Sequence, residues 1–156
     1  MKRSFAKVLF GAAVGMLAFT GVAQANECSN KDEILALFST WNASLQTGKP
    51  EVVAELYSKK EGVLLPTVSN KVRTSREAIA NYFEEFLKLK PNGTLNESHV
   101  TCFGDIAINQ GVYTFNIVRD GTPAQVQARY SYVYHKEDGG WKIVSHHSSK
   151  MPEPPK

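Results

Sequence analysis

Two adjacent histidines, His146 and His147, close a run of β-branched and aromatic residues near the end of the 156-residue chain. Neighbouring residues of a strand point to opposite faces, so the two imidazoles cannot bind one metal ion together. A zinc site would need His99 or His135 brought to one of them by the fold. We therefore expect no metal and no other cofactor, with His147 as a hydrogen-bonded pocket histidine and His146 on the surface.

His147 is also the candidate for general acid–base catalysis, because an imidazole ordinarily titrates near pH 6.5, at about the pH where such catalysis works best. A carboxylate beside it would strengthen that interpretation. The predicted strands carry only Glu97, Asp105 and Asp120, and the last two have the setting of turn residues. A structural role for His147 is the favoured alternative, so the sequence favours a binding protein and leaves an enzyme open.

Arg129 stands in a strand-like run between Ala128 and Tyr130, which is an unusual place for a guanidinium group. A charge that enters a protein interior needs a partner, so Arg129, or Arg73 before the third helix, can hold an anionic ligand. The alternative is that each pairs with an acidic residue of the scaffold. Aromatic residues complete the predicted ligand site, although helix-spaced aromatics also form ordinary cores: Trp41, Tyr82 and Tyr113.

The elements that must position these residues begin with three helical patterns. Ser29 or Asn30 can cap the first helix, and Pro50 can begin the second. The third follows Thr74–Glu77, a capping-box sequence in which hydroxyl and carboxylate satisfy free backbone amides. Between the second and third helices, Gly62–Pro66 predicts a short buried strand.

From Thr94 onward the helical period of the apolar residues disappears, and four extended runs separated by glycine-containing turns follow. These runs are Thr94–Phe103, Ile106–Val118, Ala124–His135 and Trp141–Ser149. Helices first and an antiparallel meander afterwards indicate an α+β fold, with three helices packed on a strongly curved sheet. Such a curved sheet leaves a pocket at its open end.

Residues 1–25 have the three parts of a secretory signal peptide: basic residues, an apolar run, and a small-x-small end at Ala23–Ala25. The apolar run is interrupted by glycines and falls short of the roughly 20 residues of a membrane-spanning helix, which disfavours an uncleaved anchor. We expect cleavage and export to the periplasm or the medium. The remaining chain suits one domain over residues 26–150 and a proline-rich tail over residues 151–156.

The net charge of the chain changes when the signal peptide is removed. Three of the 18 Lys and Arg residues lie within it, so the mature chain is balanced against its 15 Asp and Glu residues. A neutral domain without a basic run gives no electrostatic reason to expect nucleic acid or an anionic membrane as a partner.

Cys28 and Cys102 are the two cysteines of the chain. An oxidising compartment would allow a disulfide between them, and two separate thiols are the alternative. The chain has no Cys-x-x-Cys motif, which argues against redox catalysis and against a thiolate zinc site.

The order of two helices, a short strand, a third helix and four long strands resembles the cone-shaped nuclear transport factor 2-like (SnoaL-like) fold. Four segments are similar to bacterial secreted members of the calcium/calmodulin-dependent protein kinase II association-domain family: Leu64–Lys71, Tyr82–Pro91, Gly111–Phe115 and Arg129–Pro152. The kinase catalytic motifs are absent from the sequence, so the resemblance implies an assembly module without kinase activity.

This resemblance implies a homodimer or larger ring, and a pocket that holds a small anionic or polar ligand. In the animal kinases that pocket is lined by arginines, which align here with Tyr132 and Ser148. Arg129 lies on the opposite strand face from Tyr132 and cannot simply replace the missing arginine. His147 is the position that matches residue by residue. Isomerases and dehydratases of the same fold supply the alternative, with His147 as base.

Overall fold

The computed structural model describes residues 30–153; the predicted signal peptide and Cys28 lie outside this range. Three helices are present: α1 (Lys31–Gln46), α2 (Pro50–Ala54) and α3 (Arg76–Phe86), the last followed by a 3-10 turn at Leu87–Leu89. The strands are β1 (Val63–Leu65), β2 (Asn92–Phe103), β3 (Ile106–Arg119), β4 (Thr122–Glu137) and β5 (Gly140–Lys150). Within residues 30–153, no helix is long and apolar enough to cross a membrane.

Local capping fixes where the two longer helices begin. The side chain of Asn30 accepts a hydrogen bond from the Glu33 amide at 3.2 Å, as the sequence predicts. For α3 the cap is Ser75, whose hydroxyl accepts from the Ala78 amide at 3.1 Å. The predicted cap at Thr74 is therefore wrong by one residue, because the serine already has the extended backbone that a cap requires.

The five strands form one sheet in the order β1-β5-β4-β3-β2. β1 pairs with β5 in parallel, and all other neighbours are antiparallel. The three long hairpins turn at the predicted glycine-containing sites, where Asp120 and Asp138 adopt positive φ just before a glycine. The α+β fold with three helices on a curved, mainly antiparallel sheet is confirmed.

The core lies between the helices and one face of this sheet, here called the inner face. Tyr130, Tyr132 and Tyr134 alternate along β4 and are all at most 2% exposed, so the aromatic face of that strand is buried. Helix α1 packs against them with an apolar stripe made of Ile34, Phe38, Trp41 and Leu45. Burial of large aromatic groups is the main stabilising contribution in such a layer.

A β-bulge interrupts the pairing of β4 with β5. Val133 is opposite Ser145, whereas the next residue, Tyr134, is opposite Ile143. Val144 is thus an extra residue on β5, which reverses the alternation of faces for everything that follows it.

Cys102 is disulfide-bonded in β2 and almost fully buried. Its predicted partner, Cys28, lies outside the described residues, as do the last three residues of the proline-rich tail. The pairing of Cys28 with Cys102 stays a prediction.

Candidate functional site

The inner face of the sheet and the helices enclose a cavity of about 150 Å³ that opens to solvent between α3 and the ends of the strands. Its walls are mostly apolar and aromatic, and they include Trp41, Leu64, Tyr82, Phe83, Phe86, Phe115 and Val126. A cavity of this size fits a small organic molecule whose body is apolar.

His146 is the histidine of this cavity, and it is buried, with 3% of its surface exposed. Its ring stacks on Tyr132 with the centroids 4.1 Å apart, and the indole of Trp41 meets it edge-on at 5.4 Å. The hydroxyl of Tyr57 lies 2.8 Å from Nδ1. Nε2 is buried and has no hydrogen-bond partner among residues 30–153.

The protonation of His146 follows from its surroundings. Burial, and to a lesser degree the neighbouring His147, lowers the pKa of His146 to about 3, so the imidazole is neutral at pH 7. Burial also raises the pKa of Tyr57 well above its ordinary value, which keeps the phenol protonated. The network assigns the phenol as donor to Nδ1 and leaves the imidazole proton on Nε2. A residue of the cavity wall therefore has a buried, neutral N–H donor with no protein acceptor among residues 30–153.

Hydroxyl groups form a second polar point in the cavity wall. The Tyr113 hydroxyl donates to Ser148 Oγ at 2.5 Å, and Thr67 is hydrogen-bonded to the same oxygen. Burial raises the pKa of Tyr113, so it remains a neutral donor. Tyr113, Ser148 and Thr67 all line the cavity near His146, and together they can orient a polar group of a ligand.

Two cations, Arg119 and Lys150, line the outer part of the cavity at the ends of β3 and β5. Both residues are exposed, so their charges face the mouth. No carboxylate is among the described residues that line the cavity. The electrostatic character of the entrance consequently favours an anion.

Three of the six predicted ligand-site residues line the cavity: Trp41, Tyr82 and Tyr113. Arg73 does not line it. This arginine is half-buried beside β1, where its backbone pairs with Leu64 and its guanidinium donates to Ser69 Oγ at 3.3 Å. The guanidinium contacts the scaffold through this hydrogen bond, and its buried Nε has no partner among residues 30–153.

His147 and Arg129, two further predicted ligand-site residues, do not line this cavity. Both side chains are exposed on the outer face of the sheet, away from the cavity. For His147 the reason is the bulge at Val144, which turns His146 and Ser148 inward. Arg129 follows the regular alternation of β4, opposite to the buried tyrosines.

The pairing of β4 with β5 does bring Arg129 and His147 close to one another, but on the convex side. Arg129 is opposite Ser149, and His147 is opposite Ser131, which makes the two side chains diagonal neighbours on one face. Within residues 30–153 no carboxylate forms an ion pair with His147. The arrangement lacks the general base partner that a catalytic His147 would need.

The polar and charged cavity residues that were not predicted from the sequence are His146, Ser148, Thr67, Arg119 and Lys150. The sequence did contain one indication that Ser148 belongs to the pocket. The pocket arginines of the animal kinases align with Tyr132 and Ser148. Both positions are buried on the inner face here. Ser148 lines the cavity and Tyr132 does not, and neither residue carries a charge.

The sequence matches the family described as calcium/calmodulin dependent protein kinase II association domain over residues 30–152. No curated protein gives a significant sequence match. Among solved structures, one from Xanthomonas campestris, provisionally named as such an association domain, is 54% identical with a TM-score of 0.78. The similarity covers 80% of this chain and 90% of that one.

More distant structures share the fold alone. A nuclear transport factor 2-like superfamily protein from Salmonella enterica is 22% identical with a TM-score of 0.69, covering 80% of this chain and 93% of its own. A protein from Streptomyces avermitilis, provisionally named a dehydratase of the same family, is 17% identical with a TM-score of 0.66, covering 78% and 96%.

Proposed function

Since the chain belongs to the calcium/calmodulin dependent protein kinase II association domain family, we propose that it is an exported, self-associating module that binds a small ligand in its cone. The observation that carries the ligand proposal is at His146, a cavity-lining residue whose buried Nε2 has no partner among residues 30–153. A buried donor left unpaired costs about 1–3 kcal/mol, so a ligand acceptor there is strongly favoured.

The ligand class follows from the rest of the cavity. Aromatic walls favour a flat or branched apolar body, and the His146 N–H and the hydroxyls favour an oxygen acceptor. Arg119 and Lys150 at the mouth add a preference for negative charge. The proposed ligand is a small carboxylate or carbonyl compound with an apolar body.

Three probes with one apolar body test this preference: phenylacetate, 2-phenylethanol and 2-phenylethylamine. Isothermal titration of residues 26–156 should rank them in that order, because only the first combines an acceptor with negative charge. Replacement of His146 by Gln should weaken the binding of phenylacetate, whereas His147→Gln on the outer face should leave that affinity unchanged. Equal affinities for the three probes, or an effect of His147→Gln alone, would contradict the proposal.

Self-association is proposed through the outer face of the sheet, which no helix among the described residues covers. Its centre carries the half-buried Ile108, Val112 and Val133, with Arg129 as a charged neighbour. One copy of such a face suits a second copy of itself. Light scattering after sizing chromatography should give a dimer or larger ring.

The surface involved is tested by substitution. Val133→Lys at the centre of the outer face should produce monomers, while the control Glu84→Lys, exposed on α3, should leave the assembly intact. A wild-type protein that is monomeric at micromolar concentrations would refute self-association. If Glu84→Lys changed the oligomeric state and Val133→Lys did not, the outer face of the sheet would not be the interface.

Export is proposed from residues 1–25. Expression of the full chain in a bacterium with periplasmic fractionation should yield a soluble protein whose N-terminus is Asn26. Recovery with residues 1–25 attached, in the cytoplasm or in the membrane fraction, would contradict cleavage.

A cone-fold isomerase, dehydratase or hydrolase is the second candidate, favoured by the Tyr57–His146 pair beside the cavity. An imidazole with a pKa of about 3 is a weak base at neutral pH, which is why binding is the preferred function. Native mass spectrometry should identify the copurifying molecule. Its conversion to a new mass on incubation with emptied protein would favour the enzyme.

A further inference from the structure

A second cluster of potential ligands lies away from the cavity, where three turns meet at one end of the sheet. Glu61 follows α2, and His135 and Glu137 lie near the end of β4. Each offers one ligand atom, and these atoms all lie within 4.8 Å of one another. None of the three residues lines the cone cavity.

The separations within the cluster suit a shared cation better than direct hydrogen bonds. Nδ1 of His135 is 3.6 Å from a carboxylate oxygen of Glu137, beyond the usual 2.7–3.2 Å of an N–H···O bond. Two ligand atoms of a tetrahedral Zn²⁺ ion stand about 3.3 Å apart, given metal–ligand distances of about 2.0 Å. Small rotations of the two glutamates would close the present spacing to that value.

The other nitrogen of His135 has the partner that metal-bound imidazoles use. Nε2 faces Asp105 Oδ2 at 3.4 Å, across the β2–β3 turn. A small rotation would bring this carboxylate within hydrogen-bond distance, where it would orient the ring and hold the proton on Nε2, which frees Nδ1 as a ligand. The backbone carbonyl of Asp105 accepts from the Lys136 amide at 2.8 Å, so this turn is tied to β4.

The glutamate opposite is held by an anchored turn. Ser58 is buried, its amide donates to the Ile143 carbonyl at 2.9 Å, and its hydroxyl accepts from the Glu61 amide. The cation opposite His135 in the strand pairing is Lys142, and its Nζ donates to the Glu55 carbonyl at 2.9 Å. That ammonium is directed to α2 and does not neutralise either glutamate.

We propose that Glu61, His135 and Glu137 form a binding site for a divalent transition-metal ion of the Zn²⁺ type, with Asp105 orienting the imidazole. One nitrogen and two carboxylate oxygens suit Zn²⁺ better than Ca²⁺ or Mg²⁺, which prefer oxygen ligands. The sequence does not reveal this site, because Glu61 is far from His135 and Glu137 along the chain. Solvent supplies the remaining coordination position.

The test is titration of chelator-treated residues 26–156 with Zn²⁺, Ca²⁺ and Mg²⁺, followed by calorimetry and by the thermal unfolding temperature. Zn²⁺ should bind saturably at one ion per chain with micromolar or tighter affinity and raise the unfolding temperature. His135→Ala should abolish this binding, Glu137→Gln should weaken it, and Asp105→Asn should weaken it about tenfold.

A matched control is His99→Ala, because His99 is an exposed histidine whose Nε2 lies 2.7 Å from Glu97. This variant should bind Zn²⁺ like the wild type. Circular dichroism identifies any variant that does not fold, and Glu137→Gln preserves the shape of the side chain. Absence of saturable binding to the folded wild type, or loss with His99→Ala but not with His135→Ala or Glu137→Gln, overturns the proposal.

Discussion

The hydroxyl of Tyr57 lies 2.8 Å from Nδ1 of His146, and this contact joins the segment after α2 to the inner face of β5. Both side chains are buried, so water cannot take the place of either hydrogen-bond partner. The bond holds the imidazole through Nδ1 and leaves Nε2 without a partner among residues 30–153. The orientation of the main candidate donor therefore depends on a residue from another part of the chain.

Removal of that hydroxyl by Tyr57→Phe should lower the free energy of unfolding by about 1–3 kcal/mol, because Nδ1 of His146 would be buried without a partner. Tyr134→Phe is the matched control. The Tyr134 hydroxyl is buried and makes no hydrogen bond within residues 30–153, so its removal should leave stability unchanged or raise it. Urea unfolding measures both, and equal losses would contradict the assigned hydrogen bond.

The low pKa of His146 predicts acid sensitivity. An unfolded histidine titrates near 6.5, while the folded value is about 3, so the unfolded state binds the additional proton between these pH values. Stability contributed by the neutral imidazole is present above about pH 6.5 and is lost as pH falls towards 3. Between pH 7.5 and pH 5 this loss amounts to about 2 kcal/mol.

The measurement is the free energy of unfolding in urea at both pH values. His146→Gln should remove most of the difference, whatever its effect at pH 7.5, because the amide does not titrate. His147→Gln, exposed on the other face, should retain it. The same pH dependence in wild type and His146→Gln would show that other groups cause it.

Most of the fold could be predicted from the sequence because its signals are local. The cap at Asn30, the proline at the start of α2 and the glycine turns between the long strands each act over a few residues. The inward face of β4 was also predictable, since its tyrosines alternate without interruption from Tyr130 to Tyr134.

The face of each histidine could not be predicted, since it depends on one extra residue. The bulge at Val144 arises from how β5 pairs with β4 and with the parallel β1, and strand alternation alone does not contain it. A single-residue shift moves a whole strand segment to the other face. The pocket histidine is consequently His146, although His147 fits the family pattern.

Arg119 and Lys150 at the mouth of the cavity should make ligand affinity depend on the charge of the ligand. Arg119→Ala and Lys150→Ala should each weaken the binding of phenylacetate by up to about fivefold, because exposed ion pairs contribute up to about 1 kcal/mol. Binding of uncharged 2-phenylethanol should change little. The effect should shrink in 1 M salt, which shortens the screening length to about 3 Å.

Arg129→Ala is the control for this measurement, because it removes the same charge from the outer face of the same sheet. Phenylacetate affinity should remain that of the wild type. If Arg129→Ala weakened binding while Arg119→Ala and Lys150→Ala did not, the ligand would lie on the outer face beside Arg129.

Gly111 in β3 lies too close to a neighbouring strand to accept a side chain, so its replacement should destabilise the fold. A Cβ atom there would lie 2.0 Å from the carbonyl oxygen of Glu97 and 2.7 Å from its carbon, at the bulge between Leu95 and Glu97 in β2. Backbone atoms cannot move aside without breaking the β2–β3 pairing, so Gly111→Ala should lower the free energy of unfolding by about 1–3 kcal/mol.

Gly140→Ala is the control, since nothing lies within 4 Å of its added Cβ and its φ is not positive. Urea unfolding should show a clear loss for Gly111→Ala only, and equal stability of the two variants would mean that β2 can shift to accept the methyl group.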